Sequence, residues 1–72
     1  HYVNEGGWMT YVDLTTEIET FIKNILSDTT YTVEQRLGFA YGSYLTWHAL
    51  IKGTFKPEDD RRLWLLTQPH YD

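Results

Sequence analysis

Apolar side chains recur at spacings of three and four along TYVDLTTEIETFIKNILSD, residues 10–28, falling at Tyr11, Leu14, Ile18, Phe21, Ile22, Ile25 and Leu26. That rhythm lines one face of an α-helix, and it predicts a first helix over 11–27. Thr10 with Asp13 three residues on has the pattern of a capping box, and Thr16 with Glu19 offers a second candidate start. Acids fall early and Lys23 late, as the helix dipole favours. Glu17, Thr20, Lys23 and Asn24 form the polar face. The stretch Ser27–Asp28–Thr29–Thr30 is polar and short, which suits a helix–helix connection.

The next stretch is the most ambiguous. GFAYGSYLTWHAL, residues 38–50, mixes small residues with aromatic rings and passes for a strand if read alone. A longer window decides for a helix. Val33, Leu37, Ala40, Tyr44, Trp47 and Ile51 repeat at alternating fours and threes, Tyr41, Leu45 and His48 widen the stripe, and Thr32 with Gln35 forms another capping-box pattern. The predicted second helix spans 33–52 and stops at Gly53, read as the C′ glycine. Gly38 and Gly42 share a face, with Ser43 beside them. Each glycine weakens a helix, so the trio reads as a packing notch filled by helix 1, by helix 3 or by a second copy. The other reading leaves one or both glycines on a solvent face.

A third helix is predicted from Pro57 to Gln68. Proline suits the first helical position, Glu58, Asp59 and Asp60 occupy the first turn, and Pro69 marks the end. Leu63, Trp64, Leu65 and Leu66 cover more than one helical face. The expectation is an all-α, three-helix domain with a long central helix 2. Its expected core is Leu14, Ile18, Phe21, Ile22 and Ile25 from helix 1. Helix 2 adds Val33, Leu37, Ala40, Tyr44, Trp47 and Ile51, and helix 3 adds Leu63 and Leu66. Residues 1–8, HYVNEGGW, differ in character from the rest of the chain, and Met9 opens the patterned segment. They read as a tag or a flexible N-terminal arm, leaving 9–72 as a single helical domain.

Composition narrows the function. The chain has 72 residues and no cysteine, so disulfides and thiolate metal sites are ruled out. A cysteine-free chain suits a reducing compartment, and the expected location is cytoplasmic. The net charge of −4 argues against nucleic acid and against an anionic membrane surface. No apolar run is long enough to span a bilayer, and no basic start leads into a signal-like apolar core. The three histidines are His1, His48 and His70, and no two of them stand at a tight ligand spacing from each other. His1 reads as the end of a tag and His48 as a core or interface histidine. Neither a metal nor a cofactor is expected. Ser43 lies in YGSYL, which falls short of the G-x-S-x-G elbow, and no phosphate-binding glycine loop is present. Glu58–Asp60 reads as a solvated helix cap. The chain is therefore read as non-enzymatic.

Six Tyr, three Trp and three Phe exceed what one small core needs. Trp8, Trp47 and Trp64 do not all fit inside three short helices. Tyrosine and tryptophan dominate interface hot spots. The expected function is therefore a small acidic protein–protein interaction module that also forms a homodimer or higher assembly. By analogy it is a phage-type inhibitor or adaptor acting on a host or viral protein. Tyr41, Leu45, His48, Trp64 and Leu65 flank the predicted core stripes and are the candidate interface. A second reading is an acidic mimic of nucleic acid that blocks a DNA- or RNA-binding protein. Its charge is sparse for that role, since duplex DNA carries one charge per about 1.7 Å.

Overall fold

The computed structural model describes residues 10–69. The readings placed on residues 1–8, on Met9 and on His70 lie outside them. Three helices make up the domain: α1 (Tyr11–Leu26), α2 (Val33–Leu50) and α3 (Pro57–Leu66). The fold is all-α as expected, and α2 is the longest element, with α1 close behind at 16 residues to its 18.

Local chemistry sets the helix starts. Thr10 and Asp13 complete one capping box, so the alternative start at Thr16 is not used; Thr32 and Gln35 complete the other. The helices end one to two residues sooner than the spacing predicts. α2 ends at Leu50, and Gly53, with φ of 83°, stands two residues beyond the Ile51 cap. It serves the turn toward α3 rather than the C′ position. Arg36 closes the first connection, donating from its guanidinium to Leu26 O at 3.0 Å and to Tyr31 O at 3.1 Å.

Side-chain pairs give the topology. The early α1 residue Thr15 meets the late α2 residue Trp47, so α1 and α2 are antiparallel. At the start of α3, Asp59 meets Tyr11 and Asp60 meets Tyr44. At the other end Leu66 shares a hollow with Leu26 and Leu37. α3 therefore runs parallel to α1.

The core is Ile22, Ala40, Tyr44, Trp47, Ile51 and Leu63, with Leu14, Ile18, Ile25 and Leu66 packed against it as the spacing predicts. Tyr11, Leu26 and Phe55 join them although the predicted core omits them. Phe21 (47% exposed) and Val33 (61% exposed) do not belong, and Leu37 is only half-buried outside the cluster. The reason is position: Phe21 lies on the edge of α1 that faces away from α3, while Val33 and Leu37 border an open hollow beside Leu66 and Pro69 at the far end of α3 instead of packing into the core. Trp47 is fully buried, and its indole N–H donates to Thr15 Oγ1 at 2.8 Å. Among the described residues no buried side-chain polar atom lacks a partner.

Candidate functional site

The candidate interface residues divide among four places. Tyr41 and Trp64 come together in a groove of about 480 Å³ between α2 and α3, with Gly38, Leu37 and Gln68 along its walls. Four of the five, Tyr41, Leu45, Trp64 and Leu65, are between 42% and 47% exposed. Leu65 follows Trp64 by one residue, which turns it about 100° around α3 and out of that groove. Leu45 is one turn on from Tyr41 and lines no groove with Trp64. His48 is half-buried against Phe55, ring centroids 4.9 Å apart, with its Nε2 3.9 Å from Asp60 Oδ1.

The proposed notch is corrected in part. A Cβ built on Gly38 or Gly42 meets nothing within 4 Å, so neither α1 nor α3 fills the space. Both glycines are exposed. Gly42, Gly38 and Ser43 instead border a shallow groove of about 630 Å³ shared with Phe21, Phe39 and Tyr31. Ser43 Oγ–H donates to Phe39 O at 2.9 Å, so its hydroxyl serves its own helix.

The acids of α3 are not a simple solvated cap. Tyr11 donates to Asp59 Oδ2 at 2.7 Å and accepts from the Lys56 backbone N–H at 3.0 Å. Tyr44 donates to Asp60 Oδ1 at 2.7 Å. Arg62 grips Glu19 with Nε and Nη2 and Asp59 with Nη1 at 2.7 Å. The Arg62 hydrogen bonds hold the Glu19 carboxyl below its usual value, and the Tyr11 hydroxyl does the same for Asp59. Burial, reinforced by Asp60, pushes the Tyr44 phenol up to about 12. Spacing along the chain misses these groups as a set, because the partners of Glu19 and Tyr11 lie 43 and more residues away. The available signal is narrower: a buried tyrosine needs an acceptor for its hydroxyl.

Asp60 already accepts from Tyr44, and the Ser27 and Ser43 hydroxyls are spent on backbone carbonyls. No cluster of three or more metal-ligating side chains occurs among the described residues. No described helix is long and apolar enough to cross a membrane. Fold and surface together define the class: a small all-α domain with half-exposed aromatic rings. No family model matches the chain, and neither a curated protein nor a solved structure is significantly similar to it.

Proposed function

We propose that the chain is a non-enzymatic protein-interaction module that engages another protein through the α2–α3 face centred on Tyr41 and Trp64. One observation carries the reading. The core closes without these rings, Ile22, Trp47 and Leu63 filling its centre, yet Tyr41 and Trp64 line one groove and stay half-exposed. Large aromatics in a hollow are the usual anchors of a binding interface. Leu45 and His48 extend the face along α2, and Leu65 extends it around α3. The module acts as an inhibitor or adaptor on the protein it holds, of the kind phages direct at a host or viral protein. Its proposed setting is the cytoplasm, where a cysteine-free chain loses nothing.

The reading as a nucleic-acid mimic draws less support. Glu19 and Asp59 are neutralised by Arg62, and Asp60 is held by Tyr44. Those carboxylates are not free to stand in for phosphates.

Affinity capture with immobilised wild type and immobilised Trp64→Ala tests the reading, run at low and at high salt. A protein held by the wild type, lost with Trp64→Ala and indifferent to salt supports it. Capture unchanged by Trp64→Ala sinks it, and capture abolished by salt alone moves the reading to the mimic.

A further inference from the structure

Val33 and Leu37 fit the apolar rhythm of α2 and yet stay out of the core. Both border a hollow of about 570 Å³ where the start of α2 meets the end of α3, with Leu26, Leu66 and Pro69 as its other apolar walls. Val33 is 61% exposed, and Leu26, Leu37 and Leu66 are half-buried. Four aliphatic side chains from three helices therefore converge on a space that no described residue fills.

The chain itself supplies the nearest occupant. Pro69, the last described residue, is part of the wall, and His70, Tyr71 and Asp72 follow it. A chain spans at most about 3.6 Å per residue, so the Cα of Tyr71 lies within roughly 7 Å of that of Pro69. A ring tethered so closely acts at an effective concentration in the millimolar range, a level few dissolved proteins reach. Residues 1–9 are worse placed, because they join α1 at its other end, about 22 Å along the helix from Leu26.

Charge points the same way. The charged groups bordering the hollow are Glu34 and Arg36. The Arg36 guanidinium donates from Nε and Nη1 to backbone carbonyls. Among the described residues its Nη2 has no acceptor, and no carboxylate pairs with it. One acid and one base border the hollow, and one acid and one histidine flank Tyr71. A ring seated there brings Asp72 to the rim, where Arg36 Nη2 can donate to it.

We propose that Tyr71 seats its ring in this hollow, against Val33 and Leu37, with the Asp72 carboxylate accepting from Arg36. The segment after α3 then works as a strap that ties the end of α3 to the start of α2. Leu37 and Pro69 divide this seat from the groove of Tyr41 and Trp64, which stays open to a partner.

Nuclear magnetic resonance on the full chain tests this. An aromatic ring stacked on a methyl group shifts the methyl proton signal upfield. The Val33 and Leu37 methyls are therefore expected upfield of their ordinary positions, with Overhauser contacts to the Tyr71 ring. In Tyr71→Ala those signals are expected to return to ordinary positions while the Trp64 indole signal stays where it is. Tyr71→Ala is also expected to lower the folded-to-unfolded ratio about tenfold in a denaturant titration, the effect of roughly 60 Å² of ring taken from water. It is expected to do much less in a chain already carrying Val33→Ala, as two residues in contact should. Methyl signals that ignore Tyr71→Ala overturn the proposal. So does a response at Trp64 in their place, which would put the segment in the groove that the partner needs. An upfield shift that appears only on concentrating the protein overturns it too, because the ring would then come from a second copy. All three leave the capture assay on Trp64→Ala to decide the interaction reading on its own.

Discussion

Trp47 contributes more than volume to the core. Its indole N–H is sealed from water and finds an acceptor only in Thr15 Oγ1, itself buried. Removing the acceptor while keeping the shape strands a buried donor, which costs about 1–3 kcal/mol. Thr15→Val is expected to lose that much in a denaturant titration, and Thr15→Ser, which keeps an acceptor, to lose clearly less. The outer glycines carry the opposite expectation. Gly38 and Gly42 stand in helical backbone with open space where a Cβ would go. Alanine at either position removes the conformational cost of glycine without meeting a neighbour, a gain of about 0.5–1 kcal/mol. Thermal unfolding of Gly38→Ala and Gly42→Ala beside the wild type checks the sign. An unchanged or lowered midpoint would mean that the helix does not have the freedom around these residues that the structure gives it.

At the scale of elements, α3 is the shortest helix and the one tied to α1 through charged groups. It is only 10 residues long and contributes one fully buried side chain, Leu63. Its docking leans on Arg62 with Glu19 and on Tyr11 with Asp59, while the Arg62–Asp59 pair lies within α3 itself. The Glu19 carboxyl is lowered from 4.5, mainly by Arg62, and the Asp59 carboxyl is lowered from 3.8, mainly by Tyr11. A carboxyl whose folded pKa is depressed stabilises the fold above its unfolded pKa and ceases to do so as pH falls through the folded value. Stability is therefore expected to be flat above the mid-fours and to drop on acidification below them. Arg62→Gln is expected to flatten that drop by returning Glu19 toward its ordinary value. Equilibrium unfolding of both proteins across that pH range is the check. This part of the molecule is the least legible in the sequence. Both capping boxes and the inner stripes of α1 and α2 are local patterns, readable from spacing alone. Whether Phe21 or Tyr11 turns inward depends on where α3 lands, and spacing within α1 says nothing of that. Asp59 and Asp60 look like generic first-turn acids because their tyrosine partners sit on other helices. The aromatic surplus on α2 and α3 is legible as exposure, since the stripes cannot hold every ring.

For the whole molecule, the deciding feature is that the three largest fully buried side chains come one from each helix: Ile22 from α1, Trp47 from α2 and Leu63 from α3. They belong to a single cluster, so no helix can leave without opening the core of the other two. A domain of this size hides only about 60% of its unfolded surface and has a total stability of only a few kcal/mol, at about 0.05–0.15 kcal/mol per residue. Truncating one buried leucine costs about 2–5 kcal/mol, a large share of that total. Leu63→Ala is therefore expected to unfold much of the population at room temperature and to take α1 and α2 with α3. Circular dichroism separates this from simple fraying. α3 holds 10 helical residues against 16 and 18 in α1 and α2, so its loss alone removes under a quarter of the helical signal. A larger loss, with a single transition on titration, means one cooperative core. A loss confined to that fraction, with the rest melting later, would mean that α1 and α2 form a stable hairpin of their own and that α3 is an appendage carrying Trp64.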